Sequence, residues 1–149
     1  MRAVIQRVSE ASVVVADETV GAIGTGLLVY LGVVTGDAAA DVDWIAVKIR
    51  RLRIFPDDRN LMNRDVGEAG GSVLLVSAFT TAADARKGRR PSFDAAAAAD
   101  EAEPLYRAVA DALRAGGLEV ATGAFGAMMD VRSTNAGPVC VLIDSRRAF

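Results

Sequence analysis

The arrangement of apolar and polar positions divides the chain into short elements. Alternation over Ala3-Val4-Ile5-Gln6-Arg7-Val8 and the β-branched run Val13-Val14-Val15 predict two strands, and after a polar turn at Asp17-Glu18 a third runs through Val20 and Ile23. Gly24, Thr25 and Gly26 then punctuate the chain. The continuous apolar run from Leu27 to Val34 has the pattern of a strand buried on both faces, closed by Gly36-Asp37. From Ala38 the period changes: Val42, Ile45, Ala46, Ile49 and Leu52 recur at three- and four-residue spacing, with Asp41, Lys48, Arg50 and Arg51 on the other side. That is an amphipathic helix packed on a sheet. Phe55-Pro56-Asp57-Asp58 and Gly70-Gly71 read as turns, Ser72 to Phe79 as a second strongly apolar strand, and the stretch holding Gly88 and Pro91 as a loop.

A second helix is marked by Asp100 and Glu103 at capping-box spacing, by a buried stripe of Leu105, Val109, Ala112 and Leu113, and by Gly116-Gly117 at its end. Pro104 then falls in the first turn, where proline is tolerated. The alanine run Ala95 to Ala99 reads as a loop or helix lead-in, and strands follow at Glu119 to Thr122, Met128 to Arg132 and Val139 to Asp144. Strands outnumber helices and follow one another mostly in hairpin order. The expected fold is therefore α+β: a curved, largely antiparallel sheet or barrel with two helices covering one side, a single domain over residues 1–149. Such a sheet leaves edges, and dimerisation is one way to bury them.

Composition narrows the chemistry. The chain has 149 residues, 52% of them hydrophobic and 24% charged, which suits one compact domain with a substantial core. It contains no histidine, so a Ser-His-Asp or Cys-His relay, an imidazole base and a His-bearing zinc site are all excluded. Cys140 is the single cysteine, which points to a reduced, intracellular protein and to a small buried hydrophobe at that position. The N-terminal residues lack the pattern of a signal peptide and no segment has membrane-spanning length, so a cytoplasmic location is expected. A net charge of −2 argues against a protein that coats nucleic acid through bulk charge, but leaves room for a local basic patch.

Two short stretches carry candidate chemistry. Ser77-Ala78-Phe79-Thr80-Thr81 ends the most hydrophobic strand and enters a loop, where a strand fixes groups that the loop exposes. Thr80 as a nucleophile would need a base, and none is near in sequence, whereas free backbone amides there can stabilise an oxyanion. By spacing alone the stretch also fits plain capping by hydroxyl residues. Asn135-Ala136-Gly137-Pro138 is a turn signal between strands, and its Gly-Pro bond is open to a cis peptide. Arg86, Lys87, Arg89 and Arg90 surround Gly88 in the densest positive patch of the chain, either a solvated face or a hold for phosphates. Asp84, Asp94, Asp100, Glu101 and Glu103 lack metal-loop spacing.

Taken together the residues resemble the D-aminoacyl-tRNA deacylase family, also called D-tyrosyl-tRNA deacylases (DTD), from Met1 to about Ile143. The matching stretches include Ile5-Gln6-Arg7-Val8, Gly26-Leu27-Leu28, Leu31-Gly32-Val33, Arg53-Ile54-Phe55, Met62-Asn63, Gly70-Gly71-Ser72-Val73-Leu74, Arg90-Pro91-Ser92-Phe93 and Thr122-Gly123 with Phe125. The first family motif usually reads Ser-Gln-Phe-Thr-Leu, so Ala78 and Thr81 depart from it. The second usually reads Asn-x-Gly-Pro-(Val or Phe)-Thr, so Cys140 departs.

The resemblance implies a DTD-like barrel fold, no cofactor and no metal, and hydrolysis of the ester joining a D-amino acid, or glycine, to the 3′-terminal adenosine of a tRNA. It implies a homodimer in which a Gly-cis-Pro element, Gly137-Pro138, reaches into the other subunit's site to read substrate chirality. It places Ser77, Ala78, Phe79 and Thr80 at the reaction centre, with the tRNA's own 2′-hydroxyl assisting, and Arg7, Asn135, Phe125 and Met129 in support. The basic residues Arg86, Lys87, Arg89 and Arg90 would then bind tRNA. Two alternatives stay open: a deacylase of shifted selectivity acting on small L-amino acids, and a non-catalytic dimer that binds tRNA ends or a small ligand.

Overall fold

The computed structural model describes residues 1–148. Strand β1, Arg2–Val15, runs antiparallel to three neighbours: β3 (Gly26–Gly32) along its first half, β2 (Glu18–Ile23) along its second, and β8 (Asp130–Asp144) along its other edge. Beyond β3 lie β6 (Ser72–Ser77) and β7 (Val120–Thr122), both added in parallel. The two parallel pairings follow from the two helices, α1 (Ala39–Arg51) and α2 (Ala99–Ala115), which form parts of the crossovers. The sheet curls until β2 approaches β7, giving the nearly closed, mostly antiparallel barrel of a single α+β domain.

Period-two alternation in the central strands divides the core. Leu27, Val29 and Leu31 of β3 and Val73 and Leu75 of β6 face the helices, where Ile45 and Ile49 of α1 and Tyr106, Val109 and Leu113 of α2 cover them. Leu28, Leu74 and Val76 point the other way and pack with Val8, Ala11 and Val13 inside the curl. These strands are buried on both faces, which is why they read as unbroken apolar runs.

Several local expectations are corrected. The two N-terminal strands are one, because β1 continues through exposed Ser9 and Glu10 while changing partner from β3 to β2. The strand after Gly24 stops at Gly32 rather than Val34, although Val33 beyond it is still buried. Phe55 and Pro56 are not simply a turn but form a short strand, β4 (Phe55–Pro56), paired with β5 (Met62–Arg64). The apolar strand before the first motif stops at Ser77, and Phe79–Ala82 form a 3-10 turn. Helix α2 begins at Ala99 with Ala98 as an N-cap that makes no side-chain bond, so Asp100 and Glu103 are not a capping box and Pro104 lies in the second turn. Of the alanine run only Ala99 is helical, so the stretch is a lead-in to the helix. Finally, the strands expected at Met128 to Arg132 and Val139 to Asp144 merge into one strand, β8, which starts only at Asp130, and Asn135-Ala136-Gly137-Pro138 lies within it rather than reversing the chain.

Candidate active site

The first motif sits where β6 gives way to the 3-10 turn. Ser77 is the last strand residue, paired with Leu31, and Ala78 N–H donates to the Leu31 carbonyl at 2.8 Å. The Ala78 carbonyl accepts the Thr81 N–H at 3.1 Å and the Thr81 hydroxyl at 3.0 Å. The first amides of a helical turn have no partner within it. Accordingly, among the described residues nothing accepts from the N–H of Phe79 or Thr80. Phe79 and Thr80 are exposed, while Ser77 and Ala78 are half-buried. The turn packs down onto β3 at Gly32, where a Cβ would collide with Thr81 Oγ1 and come within 2.8 Å of the Ala78 carbonyl oxygen. Only glycine at position 32 lets the turn lie there.

The turn is tied to the basic loop. Phe79 and Phe93 meet edge to face with ring centroids 5.2 Å apart. Reciprocal backbone bonds between Asp84 and Ser92, at 2.8 and 2.9 Å, pin the base of the loop that carries the four basic residues. Within that loop Arg86 is held by Asp84 through Nε at 2.9 Å and Nη2 at 2.6 Å. Those bonds keep the Asp84 carboxyl well below the usual carboxylate range and the Arg86 guanidinium above its own. Lys87, Arg89 and Arg90 are exposed and form no ion pair among the described residues. The free positive charge is therefore carried by three of the four.

The second motif is a bulge. Gln6 pairs with Cys140 and Val8 with Asn135, so one residue of β1, Arg7, opposes four of β8, Ala136 to Val139. Asn135 closes the bulge with its side-chain amide: Nδ2 donates to the Val139 carbonyl at 3.0 Å and Oδ1 accepts the Val139 N–H at 2.8 Å. Arg7 braces it from the opposite strand, with Nε on the Ala136 carbonyl at 2.8 Å and Nη1 on the Ile54 carbonyl at 2.6 Å. The Gly137-Pro138 peptide is cis and both residues are exposed. Gly137 has φ of +150°, and a Cβ there would come within 2.8 Å of Val139 N and 3.1 Å of Arg7 Nη2, so no other residue fits.

These two constellations make no hydrogen bond with each other among the described residues. The four residues of the first motif stand together, as do Arg7, Asn135, Gly137 and Pro138. Phe125 and Met129 separate: Phe125 packs on the helix-side core beside Tyr106, with centroids 5.7 Å apart, while Met129 belongs to the cluster inside the curl. Phe125 lines a pocket of about 500 Å³ with Tyr106, Thr122, Gly123, Arg107 and Arg114. Its arginines are already paired, Arg107 with Glu103 and Arg114 with Asp111. The Tyr106 hydroxyl donates to the Leu75 carbonyl at 2.7 Å, and burial raises its pKa to about 12. Cys140, expected to be buried, is exposed on β8. Gly32, Phe93 and the Ile54 carbonyl were given no part in the site by sequence reasoning, because each acts through a contact between residues distant in the chain.

Residues 4–144 match the family model described as D-Tyr-tRNA(Tyr) deacylase. The chain belongs to that family. A D-aminoacyl-tRNA deacylase of Chloroflexus aurantiacus is 59% identical over 97% of this chain and 91% of that relative. One of Symbiobacterium thermophilum is 52% identical over 100% of this chain and 99% of its own length. Among solved structures, the c-Myc DNA unwinding element binding protein superposes with a TM-score of 0.91 at 35% identity, over 97% of this chain and 98% of that one. A probable eukaryotic D-amino acid tRNA deacylase shares the fold at a TM-score of 0.81 and 18% identity, over 95% and 97% of the two chains. No helix of this family member is long and apolar enough to cross a membrane among the described residues.

Proposed function

We infer that this chain is a D-aminoacyl-tRNA deacylase, a hydrolase that cleaves the ester between a D-amino acid, or mischarged glycine, and tRNA. The observation that carries the reading is the turn after β6, which leaves the N–H groups of Phe79 and Thr80 free beside an exposed Thr80 hydroxyl in a chain of this family. Water adds to the ester carbonyl carbon, and the carbonyl oxygen takes up negative charge. The two amides receive that charge, each contributing roughly 3 kcal/mol to the transition state. The bond to the ribose oxygen then breaks, and a proton returns to that oxygen as amino acid and tRNA separate. With no histidine to act as base, the neighbouring 2′-hydroxyl of the terminal adenosine helps to order the attacking water, and Thr80 positions rather than attacks.

The protein works as a homodimer in which Gly137 and Pro138 of one subunit project into the other's site. Their exposure, and the lack of hydrogen bonds between the bulge and the turn of the same chain, support this arrangement. An L side chain would have to occupy the space filled by the bulge, whereas a D side chain points away and glycine has none. Lys87, Arg89 and Arg90 hold tRNA phosphates, and a substrate of this kind places the enzyme in the cytoplasm.

Hydrolysis of D-Tyr-tRNA, L-Tyr-tRNA and Gly-tRNA at substoichiometric protein tests the reading. Release of D-tyrosine and glycine, with L-Tyr-tRNA spared, is expected. Equal cleavage of the L substrate would assign shifted selectivity, and binding without release of amino acid would make the protein a non-catalytic partner of tRNA ends. Sedimentation at micromolar concentration should give a dimer, and a fully active monomer would refute the shared site.

A further inference from the structure

Thr81 does something no leucine at that position could do. Its hydroxyl donates to the carbonyl of Ala78, the residue immediately before the 3-10 turn, at 3.0 Å, and its own N–H donates to the same oxygen at 3.1 Å. Both lone pairs of that carbonyl are thus taken by one residue. The Ala78 N–H is fixed in turn on the Leu31 carbonyl at 2.8 Å, so the peptide units on either side of Ala78 are tied, one to β3 and one to Thr81. A 3-10 turn has poorer hydrogen-bond geometry than an α-helix and holds its shape less firmly. Here the clamp lies directly upstream of the amides of Phe79 and Thr80, whose directions follow from the backbone at Ala78. Threonine suits the task, since its β-branched side chain has few rotamers and its Oγ1 can reach back to the i−3 carbonyl. Gly32 supplies the space: a side chain there would strike Thr81 Oγ1.

We propose that Thr81 is a positioning residue of the deacylase reaction, its hydroxyl fixing the Ala78 carbonyl so that the free N–H groups of Phe79 and Thr80 point at the substrate's ester oxygen. The proposal rests on the function inferred above. It assigns Thr81 no contact with substrate, so its removal acts on turnover and not on binding.

Thr81→Val keeps the shape and deletes the hydroxyl, whereas Thr81→Ser keeps the hydroxyl and deletes the methyl. The expected result for Thr81→Val is a kcat lower by roughly tenfold, less than the loss on deleting an oxyanion donor outright, with KM within about twofold of wild type. Thr81→Ser should recover most of kcat. Unchanged kcat in Thr81→Val, an equal loss in both variants, or a rise in KM alone would overturn the proposal. Amide ¹⁵N relaxation of Phe79 and Thr80 provides a readout independent of turnover: greater mobility in Thr81→Val and none in Thr81→Ser is expected, and unchanged mobility in both refutes the clamp. If wild-type protein released no amino acid while the relaxation behaved as expected, the functional reading would fail and the clamp would stand.

Discussion

Arg7 gathers two carbonyls from distant parts of the chain, those of Ala136 and Ile54, onto one planar guanidinium. Lysine, a point charge on a flexible stem, cannot hold both at once. Each such charge-assisted bond contributes about 1.5–3 kcal/mol, so Arg7→Lys should loosen the bulge without unfolding the protein. The expected outcome is slower D-Tyr-tRNA hydrolysis together with measurable cleavage of L-Tyr-tRNA, followed in parallel assays with the unfolding midpoint as control. Tyr106 sets a limit of a different kind. Its folded-state pKa of about 12 exceeds the ordinary 10.0. Between those values the unfolded chain has lost the phenolic proton and the folded one retains it, so the stability it confers is complete below pH 10 and declines toward pH 12. Urea titrations across that range should show stability falling with pH, and the fall should be smaller in Tyr106→Phe.

At the scale of elements, the basic loop and the 3-10 turn are mechanically joined through the Asp84 and Ser92 backbone bonds and the Phe79–Phe93 contact. Lys87, Arg89 and Arg90 are free to meet phosphates while Arg86 is occupied by Asp84. Replacing the three with glutamine should weaken tRNA binding and flatten its salt dependence by about 0.7–0.9 in log–log slope per lost contact, with Arg86→Gln having the smaller effect. An unchanged slope in the triple variant would return the loop to ordinary solvated surface. The positions of both helices were legible because their apolar residues repeat with the helical period, and the central strands because burial on both faces leaves unbroken apolar runs. The unity of β1 was not, since Ser9 and Glu10 break its alternation where the strand changes neighbours. Asn135 to Pro138 carry the residues of a turn, and local sequence does not distinguish a turn from a bulge that returns to the same partner strand. The motifs themselves, Thr81 included, were readable, but Gly32 and Phe93 meet them only through contacts between residues distant in the chain.

At the scale of the whole molecule, the turn and the bulge belong to different faces of one working site if two copies share it. Thr80→Pro deletes one free amide and Arg7→Ala loosens the bulge, so each homodimer should be impaired. When the two variants are refolded together, a mixed dimer pairs an intact turn with an intact bulge, and activity should reappear. Absence of recovery in verified mixed dimers would place both halves of the site in one chain. The pairing of β1 with β8, which joins Arg2 to Asp144 and Val14 to Asp130, bears on how the enzyme comes into being. During translation β1 must wait, one edge open, until β8 has been made. Contacts of such long sequence separation place folding in the millisecond-to-second class rather than the microsecond one. The bulge that Arg7 braces therefore takes shape only once β1 and β8 have met, across the 129 residues that separate Arg7 from Ala136, so whatever task it performs begins late in the life of each copy.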